Sequence, residues 1–137
     1  MTNQPERESI LRTQLILRNE LYFNNQNNMP FTGIAIDASC NKNNPFDLSK
    51  IKTKTTFKHG KKDGLCEYFN GDGQLLYREN FKNNKKDGPW EWFYFNNGQL
   101  GIRIKYKNGK QHVFWELFDS MVNLKKKLNN NPLYDTL

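Results

Sequence analysis

The chain has 137 residues, 36% of them hydrophobic and 14% aromatic, with a mean hydropathy of −0.92. That leaves room for one domain or one short repeat array, whose core must be thin and aromatic rather than thick and aliphatic. The net charge of +7 admits an acidic protein, an anionic membrane or nucleic acid as partner, while no stretch stays apolar for long enough to span a bilayer.

In chain order, residues 3–13 are expected to form a short helix. Pro5 stands early, and Glu6 and Glu8 fall in the first turn, where acidic side chains oppose the helix dipole. The opening Met1–Arg7 lacks the basic-then-apolar order of a secretion signal, so the expected location is cytoplasmic. Leu15, Ile16 and Leu17 read as a strand running towards Leu21-Tyr22-Phe23, and Asn24–Met29 as a polar turn. Extended structure resumes at Phe31–Ile36. Periodicity then fails from Ala38 to Lys50, where Asn43-Asn44-Pro45 marks a loop. Cys40 and Cys66 match no metal or redox spacing. Cys66 falls where later copies of a repeat carry Trp90 and Trp115, so it is expected to be a small buried hydrophobe.

That repeat is the strongest signal in the chain. Phe57-Lys58-His59-Gly60-Lys61-Lys62-Asp63-Gly64 returns as Phe81-Lys82-Asn83-Asn84-Lys85-Lys86-Asp87-Gly88, and in altered form as Tyr106-Lys107-Asn108-Gly109-Lys110-Gln111-His112-Val113. The offsets are 24 and 25 residues, the length of one supersecondary unit in a repeat protein. Between the copies, Leu75, Tyr77, Glu79 and Phe81 alternate with Leu76, Arg78, Asn80 and Lys82; Leu100–Lys107 alternates likewise. Period two means strands with one buried face. Asn70-Gly71-Asp72-Gly73 and Asn96-Asn97-Gly98 suit tight turns, as do Gly60, Asn84 and Gly109 at one repeated position. The expected fold is mainly β, an antiparallel meander of repeated β-hairpins.

These residues resemble the MORN repeat family in its variant form. The pattern runs Phe57, Gly60, Gly64, Cys66, Phe69, Gly73, Leu75, then Phe81, Gly88, Trp90, Phe93, Gly98, Leu100. Leu21-Tyr22-Phe23 followed by Pro30-Phe31-Thr32-Gly33 is similar to the lead-in unit of bacterial proteins known as YwqK-type antitoxins. The resemblance implies an N-terminal segment over 1–13 and a β-repeat domain over 14–127. Within that domain it implies a lead-in unit at 14–50 and repeats at about 51–76, 77–101 and 102–127. Residues 128–137 would be a flexible tail. The altered third copy and Asn123, which stands where glycine is expected, suit a terminal cap.

Trp90 and Trp115 are expected to be core, because large aromatics supply most of the area a thin sheet buries. Glu67, Glu91 and Glu116 recur at one position beside Arg78, Arg103 and Lys105, which favours cross-strand charge pairs over an acid–base couple. His59 and His112 lie in turns. No residue is given a catalytic, cofactor-binding or metal-binding role, and no cofactor is expected.

The resemblance implies a non-enzymatic antitoxin or immunity protein that binds a protein partner, a toxin, directly. Its expected anchors are Trp92, Tyr94, Phe93 and Phe95, with Lys61, Lys62, Lys85, Lys86, Arg78 and Arg103 steering an acidic partner. A peripheral scaffold holding anionic lipid through the Lys-Lys turns is the alternative. Single-stranded nucleic acid stacked on a basic aromatic sheet is a further one. A meander also leaves edge strands, which a homodimer would cover.

Overall fold

The computed structural model describes residues 8–38, 50–119 and 123–129. Twelve strands follow in order: β1 Ser9–Leu11, β2 Leu15–Arg18, β3 Leu21–Asn24, β4 Gly33–Ala38, β5 Ile51–Lys58, β6 Lys61–Phe69, β7 Leu75–Lys82, β8 Lys85–Lys86, β9 Gly88–Phe93, β10 Leu100–Lys107, β11 Lys110–Phe118 and β12 Leu124–Asn129. One sheet runs β1-β4-β5-β6-β7-β9-β10-β11-β12, with the two-residue β8 paired to β7. β2 and β3 form a separate antiparallel hairpin. From β4 onward every neighbouring pair is antiparallel, so the mainly β meander of hairpins is what the chain forms.

The meander follows from its turns. His59-Gly60, Asn83-Asn84 and Asn108-Gly109 have φ of 50° and 82°, 50° and 68°, and 53° and 84°. Two successive positive φ values make the mirror-image turn whose twist matches that of the flanking strands. Asn84 takes the place of glycine because Asn tolerates the left-handed region best among the other residues. Asn19-Glu20, at 49° and 65°, gives the β2–β3 hairpin the same connection. Opposite these turns, the chain is reversed by Asn side chains that satisfy local amides. Asn70 Oδ1 accepts from Asp72 and Gln74 N–H at 2.9 Å each, and Asn97 Oδ1 accepts from Gln99 N–H at 3.0 Å.

Successive turns are clasped together. Asn84 N–H donates to the Lys62 carbonyl at 2.9 Å and Gly109 N–H to the Lys86 carbonyl at 2.7 Å. Asn83 N–H donates to the Asp63 carboxylate at 3.4 Å, and Asn108 N–H to that of Asp87 at 3.1 Å. The first turn leans on Phe31-Thr32 in the same way: Gly60 N–H donates to the Phe31 carbonyl at 2.8 Å and His59 N–H to Thr32 Oγ1 at 2.9 Å. Phe31-Thr32-Gly33 thus plays the part that Lys62-Asp63-Gly64 plays one unit later.

The helix expected over 3–13 does not form in its described part. Ser9–Leu11 is a strand, parallel to β4 in the register Ser9↔Ile34, Ile10↔Ala35, Leu11↔Ile36. Only a three-residue 3₁₀ turn, Arg12–Gln14, follows it. Acidic residues in a first turn are a local and weak preference, and so short a helix is marginal alone in water. In extended form Ile10 packs against the buried cluster of Leu15, Phe31, Ala35 and Phe57. That cluster, between the sheet and the β2–β3 hairpin, is the core. Trp90 and Trp115 are only half-buried, against expectation, because no second layer covers the sheet there among the described residues. Leu128 and Asn129, placed in the tail by sequence, belong to β12, which pairs with β11. Cys40, most of the 38–50 loop, residues 1–7 and 130–137 lie outside the described residues. Among the described residues, no helix is long and apolar enough to cross a membrane.

Candidate functional site

The strand register sorts the repeat into two faces of different chemistry. On one, Tyr68, Tyr77, Trp92, Ile102 and Leu117 stand opposite one another across β6, β7, β9, β10 and β11. Beside this row, Trp90, Ile104 and Trp115 form a second. Tyr68 and Tyr77 stack with ring centroids 4.1 Å apart, and Trp90 lies 5.9 Å from Tyr77. Trp92 meets Tyr94 edge-on at 5.3 Å. Gly101 lies beneath them: a Cβ there would come within 2.7 Å of the Trp92 ring, so glycine lets the indole lie down on β10. The Tyr94 hydroxyl donates to the Phe118 carbonyl at 2.7 Å and holds the group in place. These rings are half-buried, a fixed apolar platform.

A small polar centre interrupts the platform. Glu79, 8% exposed, accepts the Lys86 ammonium at 2.9 Å and the Tyr68 hydroxyl at 3.1 Å. Burial pushes the Tyr68 phenol well above its usual pKa, and Cys66 and Glu79 push it the same way. Tyr77 is raised by burial and by the charge of Glu79. Burial works against the Lys86 ammonium, but its hydrogen bond and charge pairing with Glu79 outweigh this and raise its pKa. Cys66 is buried, its Sγ 3.2 Å from Thr55 Oγ1.

The opposite face carries a ladder of alternating charge. Lys54, Glu67, Arg78, Glu91, Arg103 and Glu116 are successive cross-strand partners, and β12 puts Lys127 at the next register position. Glu91, 6% exposed, takes Arg78 Nε at 2.8 Å and Arg103 Nε at 3.4 Å. The cations also lie over phenylalanines at one repeated position: Lys54 over Phe69, Arg78 over Phe93 and Arg103 over Phe118, at 5.6, 5.2 and 5.4 Å from the ring centroids. Of the three repeated glutamates, Glu91 makes ion pairs; Glu67 and Glu116 hold the matching register positions, and Lys105 stands opposite Pro89, outside the ladder. Among the described residues no three His, Cys, Asp or Glu side chains gather as metal ligands would.

The candidate binding residues are thus distributed over three regions. Trp92 and Tyr94 share the aromatic platform. Phe93, Arg78 and Arg103 belong to the charge ladder on the other face. Phe95, 66% exposed, sits in the turn after β9. Lys61 and Lys85 are exposed at the turn edge. Lys62 and Lys86 bend over the aromatic face, their ammonium groups 5.1 Å from the Phe81 centroid and 5.0 Å from that of Tyr106. Sequence reasoning missed Phe81 and the hairpin residues Leu17, Leu21 and Tyr22, which border a cleft with Lys61, Lys62 and Lys85. The sequence carried no signal for them: Leu17 reads as one more apolar strand residue, and its 56% exposure emerges only from the fold.

The fold and these faces define a β-repeat protein in which one long sheet, covered at its first unit by the β2–β3 hairpin, has one aromatic and one charge-paired surface. Comparison with known proteins finds no matching family model, no matching curated protein and no matching solved structure.

Proposed function

We propose that this chain is a non-enzymatic binding module that neutralises a partner protein, a toxin, by direct contact through its aromatic face. One observation carries the binding reading: the half-buried platform of Tyr68, Tyr77, Trp90 and Trp92, with Trp92 seated on Gly101 and its neighbour Tyr94 tied to the Phe118 carbonyl. Rigid aromatic groups with apolar bodies and polar tips supply contact area at low entropic cost and dominate interface energetics. The toxin as partner rests on the resemblance of the repeat to MORN-type antitoxins. Lys61 and Lys85 at the rim would speed the approach of an acidic partner.

The test is affinity capture of tagged protein from its native cells, with nuclease and detergent controls. The expected result is one stoichiometric protein, retained at high salt and lost with Tyr77→Glu, the fold of that variant being checked by circular dichroism. The captured protein should arrest growth when expressed alone and be silenced by co-expression of this chain. Recovery of only lipid or nucleic acid, released by salt, would overturn the reading.

A further inference from the structure

The β2–β3 hairpin covers the aromatic face of the first repeat and stops there. Beyond its rim lies a cleft of about 740 Å³, well within the size of ligand-binding sites. Leu17, Leu21 and Tyr22 wall one side, and Phe81, Lys61, Lys62 and Lys85 line the rest. Among the described residues Glu20 is the single acidic side chain in the lining, so the cleft is locally cationic as well as apolar. Its geometry is fixed at the tip. Asn84 accepts the Lys62 N–H through Oδ1 at 2.8 Å and donates Nδ2 to the Glu20 carbonyl at 3.3 Å, which ties the hairpin turn to the second repeat turn.

The first repeat shows how this position is filled. Phe57 is the counterpart of Phe81, and it carries the Tyr22 ring edge-on at 5.1 Å and the Phe31 ring at 6.0 Å. Tyr22 belongs to an extended segment whose N–H donates to the Gly60 carbonyl at 2.8 Å. Over Phe81, one unit on, stands the Lys62 ammonium and, among the described residues, no ring. We infer that this cleft receives an extended acidic segment of a partner protein. The segment lays an aromatic or long aliphatic side chain on Phe81 as Tyr22 lies on Phe57, and sets its carboxylates against Lys61, Lys62 and Lys85. The inference rests on the binding-module reading and names where the partner's acidic element docks. An apolar wall facing lysines favours such a peptide over a bare polyanion, which would leave Leu17, Leu21 and Phe81 unused.

The test uses a fluorescein-labelled short peptide of alternating glutamate and leucine around a central tyrosine, with its lysine counterpart as control. Anisotropy gives the affinity, and amide chemical shifts map the contact. The expected result is saturable binding of the acidic peptide alone, with shifts at Leu21, Tyr22, Phe81 and Lys85. Lys61→Glu/Lys85→Glu alters two exposed side chains and should weaken binding by roughly tenfold or more, since like charges then face each other. Unchanged affinity in that variant, shifts confined to other parts of the sheet, or displacement of the peptide by lower concentrations of oligothymidylate or anionic vesicles would overturn the inference. The two readings fail separately. A native partner that survives Lys61→Glu/Lys85→Glu but is lost with Tyr77→Glu keeps the module and removes the cleft. Peptide binding in the cleft with no native protein partner does the reverse.

Discussion

The same repeat position is built in two ways along this chain. At Phe57 a hairpin lies over the sheet, and the ring is 2% exposed against Tyr22 and Phe31. At Phe81 and Tyr106 the sheet is one layer thick among the described residues, and a lysine from the neighbouring turn takes the place of the cover. The N-terminal unit is held by burial. The later units are held by what crosses between strands: the charge ladder, the cations over rings and the clasped turns. Repeats of one sequence pattern can therefore differ in the force that stabilises them, and the less covered ones present the surface.

Substitutions can break this contrast. Phe57→Ala should cost about 3–5 kcal/mol in urea unfolding, and Phe81→Ala far less, because only the first ring is enclosed. Equal losses at both positions would mean that the two regions are not built differently. Glu91→Gln leaves two arginines without their carboxylate partner and should cost roughly 2 kcal/mol. Glu67→Gln, at a half-buried rung, should stay within about 0.5 kcal/mol. Gly101→Ala drives a methyl group into the Trp92 ring and should cost about 1–2 kcal/mol, with a changed tryptophan emission that reports the displaced indole.

The smallest effect sharpens the contrast through pH. The fold raises the pKa of Tyr68 and of Lys86, so the native state holds both protons more tightly than the unfolded chain does. Their contribution is complete below the unfolded values and is lost as pH rises from those towards the higher folded values. The urea midpoint should be level to about pH 9 and fall above about pH 10. Tyr68→Phe should make that fall shallower. A midpoint that falls equally in both proteins would show that Tyr68 plays no part in it.

Much of this was legible because it is local. Positive φ at Gly60, Asn84 and Gly109 follows from residue type, and the Glu–Arg rungs follow from alternation and offset. The core was not legible, since it depends on which stretch of sheet a distant hairpin covers. Trp90 and Trp115 have the size of core residues, yet they stay half-buried, because the β2–β3 hairpin packs over the first unit only. Ser9–Leu11 carries helix-start signals upstream and still extends, pairing in parallel with β4 and packing Ile10 against the core cluster. Aromatics on both parities in Trp90–Phe93 hid the division of the candidate site between two faces. Only the register separates Trp92 from Phe93.

The side chains of the turns also join each unit to the next. Each unit hands the next an acceptor: Thr32 for His59, Asp63 for Asn83, Asp87 for Asn108. The third copy has His112 at that place, so the relay of carboxylates ends there. A duplicated cassette spanning 81–105, inserted in tandem, would inherit Asp87 and pass the relay onward. The same cassette appended after the third copy would arrive at a turn with no carboxylate to receive it. A single side chain at one turn therefore decides whether a further repeat would meet a carboxylate for its first amide.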